Sequence, residues 1–142
     1  MTIRMRVRLA LGLLAAIAVA ACASQPTASV HPSPPEASGY TDVAPVQLAE
    51  MLTAKEFTFV NVHVPYDGEI EQTDAFLPYD DVDGLRAALP DPDAKIVLYC
   101  RSGSMSTTAA QALVEAGYTN VWELDGGMNA WRAEGYTLVG GT

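Results

Sequence analysis

Residues 94–118, AKIVLYC followed by RSGSM and STTAAQALVEAGY, constrain the fold more than any other stretch of the chain. The run AKIVLYC is apolar on consecutive residues and rich in β-formers, which is the pattern of a strand covered on both faces. Small and hydroxyl-bearing residues then interrupt it. The pattern next turns helical, with Ala109, Ala110, Leu113 and Val114 along one side and Gly117 to stop it. The hydroxyl residues at its start are expected to cap it. A buried strand joined to a helix by a few small residues is half of a βαβ crossover, and that unit builds parallel sheets.

The remaining segments repeat the alternation. Residues 43–54 carry Val46, Leu48, Ala49 and Leu52 at helical spacing, and FTFVNVHV (57–64) reads as a strand stopped by Pro65. DAFLPYD (74–80) is a short extended piece, and DVDGLRAALP (81–90) a short helix closed by Pro90. NVWELDGG (120–127) gives a strand and turn, and MNAWRAEGY (128–136) a last helix ended by Gly135. The expected fold class is α/β: a small, mostly parallel sheet flanked by helices on both faces. Gly126 and Gly127 are expected to turn the chain sharply into that last helix, with Trp122 and Trp131 as core aromatics. Asp80, Asp81 and Asp83 lack the spacing of a calcium loop and suit a solvated helix start. Cys22, Cys100, His31 and His63 are too scattered for a closed zinc site, so no metal and no cofactor is expected.

The amino-terminal stretch has a different character. MTIRMRVR holds Arg4, Arg6 and Arg8 without an acid, and an apolar run too short for a comfortable membrane span follows it. That is a secretory leader over residues 1–21. The tetrapeptide VAAC ending at Cys22 resembles a bacterial lipobox, which implies cleavage after Ala21 and a diacylglycerol on Cys22. An ordinary leader that happens to contain a cysteine is the alternative. Residues 22–41, rich in Pro, Ser and Ala, read as the lipidated Cys and a disordered tether, about 60 Å when fully stretched. The folded domain is expected over 42–142. The expected location is outside the cytoplasm, lipid-anchored to a bacterial membrane, with the domain in the periplasm or at the extracellular face. Ala23 rather than Asp after the cysteine permits an outer membrane. The formal net charge of −9 excludes nucleic acid as a partner, because phosphate binding needs a basic surface. The membrane is therefore engaged through the lipid alone.

With Cys22 taken by lipid, Cys100 has no partner for an internal disulfide. It is then either a small buried apolar residue or a thiol kept for chemistry. In an open parallel sheet, sites form where strands hand over to helices at their carboxyl ends. Amides of the loop Arg101, Ser102, Gly103, Ser104 and Met105 have no helical partners there, and the helix dipole adds partial positive charge. Such a cup stabilises a thiolate or a longer sulfur anion, with Arg101 adding a full charge alongside.

The stretch VLYCRSGSMSTTAAQALVEAGYTNVWELDGGMNAW resembles the single-domain rhodaneses, the sulfurtransferase family, in its order of strand, Cys-Arg-x-Gly loop, Ala-rich helix, Gly-Tyr, strand, Gly-Gly and Trp-bearing helix. The resemblance implies that Cys100 takes a sulfane sulfur from a thiosulfate- or polysulfide-like donor. The resulting persulfide would pass to a thiol or cyanide-type acceptor, with the backbone from Arg101 to Met105 as the cradle. Two departures bear on this. Met105 stands where the family commonly has Arg, which implies weaker binding of small anionic donors. Asn61, Val62 and His63 stand where Asp-x-Arg is usual, with Glu69 further on. His63 could then face the same mouth, either as a structural histidine or as a ligand to donor or acceptor that, if charged, replaces part of the lost Arg.

Two other functions compete. A cysteine phosphatase wants His before the Cys and Arg six positions after it. Those places hold Tyr99 and Ser106, so that reading fails. A non-catalytic tethered binding or redox-sensing module remains as the alternative to the enzyme.

Overall fold

The computed structural model of the chain describes residues 39–141. The leader over 1–21, Cys22 and nearly all of the tether expected over 22–41 lie outside these residues. Five strands and four helices alternate: β1 (Thr41–Val43), α1 (Pro45–Leu52), β2 (Thr58–Asn61), β3 (Ala75–Phe76), α2 (Val82–Ala88), β4 (Ile96–Tyr99), α3 (Ser104–Glu115), β5 (Val121–Leu124) and α4 (Gly127–Ala133). The strands form one sheet in the order β1-β5-β4-β2-β3, and every neighbouring pair is parallel. This is the expected α/β class. An antiparallel bridge between Glu69 and Val139 ties the carboxyl-terminal segment to the loop after β2.

Strand β4 is central and buried at all four positions, as its uninterrupted apolar run requires. Its alternation divides the core. Leu98 and Cys100 pack with Val60, Val62, Leu85, Ala109, Ala110 and Leu113 under α2 and α3. Val97 and Tyr99 pack with Phe59, Leu48, Met128 and Trp131 under α1 and α4. Helices therefore cover both faces. Trp131 is buried in the second cluster, and Trp122 packs against it beneath the Lys95 ammonium, 3.9 Å from the ring centroid. Asp81 caps α2 by accepting from the Gly84 N–H at 2.9 Å. That is the helix-start role expected of the acidic cluster.

Three local expectations change. The second strand ends at Asn61, not at residue 64, because the Asn61 side chain accepts the His63 N–H at 3.0 Å and turns the backbone out of the sheet. The start of α3 carries no side-chain cap: Gly103 occupies the cap position at φ +94°, a conformation that disfavours side chains. Tyr40 and Thr41, expected within the tether, pack on the first cluster and begin β1 against Trp122, respectively.

Candidate active site

Cys100 is the first residue beyond β4, at the carboxyl edge of the sheet with β2 on one side and β5 on the other. Its side chain is only 1% exposed. Two donors converge on its sulfur: the Gly103 N–H at 3.1 Å and the Ser106 hydroxyl at 3.3 Å. The broader cup expected from residues 101–105 thus narrows, at hydrogen-bond distance from Sγ, to one amide and one hydroxyl. First-turn amides of α3 still lack intrahelical partners, as at any helix start.

The shape of this loop comes from α4. The carbonyls of Cys100 and Arg101 accept the N–H groups of Met128 and Asn129 at 2.9 Å each. Those carbonyls are thereby turned toward α4 and away from the sulfur. Gly127 permits the approach, since a Cβ there would overlap the Cys100 carbonyl oxygen, and its φ of +57° disfavours a side chain as well. The Gly-Gly pair thus does more than turn the chain; it lets a second helix hold the cysteine loop.

The other residues singled out in the sequence are distributed unevenly. Arg101, whose side chain is 55% exposed, directs its guanidinium to Asp67 at 3.6 Å. The expected cation beside the sulfur is instead spent on a solvent-facing ion pair with the loop after β2. Ser102 and Ser104 are exposed at the mouth, and Ser104 opens α3. Met105 packs against the same apolar cluster that holds Cys100. His63 is 4% exposed, and its Nδ1 has no hydrogen-bond partner among the described residues. Burial lowers its pKa, the Arg101 charge lowers it further, and Asp67 opposes the shift. The imidazole is therefore held toward its neutral form and does not replace the missing arginine. Asn61 is structural: its side-chain amide donates to the Gly68 carbonyl at 3.0 Å. Glu69 pairs through its backbone with Val139.

Two residues that sequence reasoning passed over complete the site. The Ser106 hydroxyl contacts Oε1 of Glu123 at 2.5 Å and the Gly103 carbonyl at 3.1 Å, besides the sulfur. Glu123, on β5, is 2% exposed and has no cation at ion-pair distance among the described residues. Burial pushes its pKa up to about 8; the Ser106 hydrogen bond opposes the shift, and Asp42 and Asp125 reinforce it. The available signal was spacing: Ser106 lies six residues after the cysteine, in the first turn of the helix that follows. Chemically, the arrangement offers a buried thiol sulfur with two neutral donors and a protonatable carboxyl behind them. No group of three or more potential metal ligands occurs among the described residues.

The chain is 45% identical over 51 residues to the thiosulfate sulfurtransferase GlpE of Pseudomonas fluorescens, covering 36% of this chain and 45% of that protein. It is 43% identical over 47 residues to a sulfurtransferase of Allochromatium vinosum, covering 33% of this chain and 44% of that one. The match thus spans under half the length of these curated relatives. Among solved structures, the Alr3790 protein from Anabaena superposes with a TM-score of 0.60 at 27% identity, over 70% of this chain and 82% of that one. Residues 49–134, more than half of the sequence, match the rhodanese-like domain, and the chain belongs to that family.

Proposed function

We propose that this protein is a thiosulfate sulfurtransferase-like enzyme that carries a sulfane sulfur on Cys100. The observation that supports this most is the convergence of the Gly103 N–H and the Ser106 hydroxyl on Sγ at the end of the central strand. The Cys100 thiolate attacks the outer sulfur of a donor, forming the new S–S bond while the donor's own bond to that sulfur breaks and its electron pair leaves with the donor remnant. For thiosulfate that remnant is sulfite. The persulfide anion rests against the same two donors, which act as preorganised stabilisers of negative charge. An acceptor thiolate or cyanide then attacks the outer sulfur, and the electron pair returns to Cys100. Loop residues Arg101 to Met105 frame the mouth, and His63, its pKa lowered chiefly by burial, is the candidate beside Arg101 for a hydrogen bond to donor or acceptor. Met105 contributes no charge, which favours uncharged or polysulfide-like donors over thiosulfate.

Turnover with a polysulfide donor and a thiol acceptor tests the reading. The wild-type domain should release persulfidated acceptor catalytically, and Cys100→Ser should not; equal rates would refute it. The low exposure of Cys100 favours one second reading, a binding or redox-sensing module. Such a module would leave donor and acceptor unchanged in the same assay. The anchoring proposal rests on the leader and the lipobox-like VAAC: Cys22 carries lipid and the domain works outside the cytoplasm. Loss of membrane association in Cys22→Ser would support it, and unchanged association would refute it.

A further inference from the structure

Ser106 has one hydroxyl hydrogen and three acceptors within reach: Cys100 Sγ, Glu123 Oε1 and the Gly103 carbonyl. Only one of them can hold that hydrogen well at any moment. Which one does is decided by Glu123. A protonated carboxyl donates its own hydrogen to Ser106 Oγ and leaves the hydroxyl hydrogen for the sulfur. An ionised carboxylate has no hydrogen to give and, as the strongest acceptor of the three, takes it.

We propose that Glu123 is a positioning residue for the sulfur chemistry of Cys100: acting through Ser106, its carboxyl supports a sulfur anion when protonated and withdraws that support when ionised. The inference rests on the reading of Cys100 as the sulfur carrier. The groups facing Glu123 come from each element packed on it. Asp42 sits opposite on β1, Asp125 directly follows β5, Cys100 directly follows β4, and α3 presents the uncharged Ser106 with Gly103 at its cap. The two aspartates oppose ionisation of Glu123, and the described residues supply no cation to balance it. The site therefore tolerates one buried negative charge, on sulfur or on carboxylate, far better than two. Two such groups joined by one hydroxyl lie within about 6 Å of one another, close enough that a charge on one disfavours a charge on the other.

A neutral isostere separates this role from a merely structural one. Glu123→Gln keeps the shape and a donor toward Ser106 but cannot ionise. The readout is the rate of Cys100 alkylation by iodoacetamide from pH 5.5 to 9.5 in the full folded domain. Near pH 6 the two proteins should react alike. As pH rises through about 8 the ratio of variant to wild-type rate should climb, to about tenfold at pH 9. A ratio constant across the range would overturn the proposal, and so would a slower variant at high pH, which would make the carboxylate a base for the thiol. Should Glu123→Gln fail to fold, the wild-type profile itself decides: two coupled ionisations support the proposal, and a single simple one overturns it. Sulfur transfer by the wild type is measured in parallel. Its absence would strike down the sulfurtransferase reading, whereas transfer with parallel alkylation profiles would strike down only the role of Glu123.

Discussion

Replacing Glu123 by Gln should flatten the pH dependence of folding stability between pH 6 and pH 8. The carboxyl is buried beneath α3, and its pKa rises from the ordinary 4.5 to about 8 in the folded chain, chiefly by burial. The fold therefore binds a proton that the unfolded chain has already released over this range. Stability from this group is fully present below pH 4.5, and it is lost as pH rises toward and through 8. Well inside the window the loss approaches about 1.4 kcal/mol per pH unit, flattening near the folded pKa, so wild type should lose about 2 kcal/mol from pH 6 to pH 8. His63 works in the opposite sense, because its lowered pKa makes the fold favour the neutral imidazole and lose stability as pH falls through 6.5. It is common to both proteins and cancels in the comparison. Urea unfolding at pH 6, 7 and 8 and constant ionic strength, followed by far-UV circular dichroism, gives the two slopes. Parallel curves for wild type and variant would refute the reasoning, since they would mean that Glu123 is already ionised at pH 6.

Three further substitutions probe the frame of the site. Gly127→Ala should push the cysteine loop off α4, costing about 1–3 kcal/mol in urea unfolding and lowering the alkylation rate of Cys100 at least tenfold. Tyr99→Phe removes a hydroxyl that accepts the Ile70 N–H at 3.0 Å and meets Thr73 at 2.7 Å; Thr73 keeps its bond to the Ile70 carbonyl, but leaving the Ile70 N–H unpaired should cost about 1–3 kcal/mol by the same measurement. Met105→Arg should improve sulfur loading from thiosulfate about tenfold, read as kcat/KM, while changing loading from an uncharged polysulfide little.

The central β4–α3 unit was legible because a four-residue buried strand and a long Ala-rich helix each have an unambiguous period. The edge strands were less so: the two residues of β3 fall within the extended piece expected over 74–80, whereas β1, three residues held by one parallel neighbour, is too short to show a pattern and was missed. Cys100 and its loop were placed at the sheet's carboxyl edge from the strand-to-helix pattern around them. Arg101 was not, because its direction depends on Asp67, which lies thirty-four residues earlier and meets it only in the fold. Ser106 reads in sequence as one hydroxyl among several at a helix start. Glu123 stands within a segment expected only as a strand and turn; β5 is covered on both faces and carries the carboxyl inward to that hydroxyl.

Intact mass of the mature domain after exposure to a sulfur donor tests the central claim most directly. Wild type should gain the mass of one sulfur atom, lose it again on adding a thiol acceptor, and Cys100→Ser should gain nothing. An unchanged wild-type mass, or the same gain in Cys100→Ser, would contradict the assignment of Cys100 as the sulfur carrier.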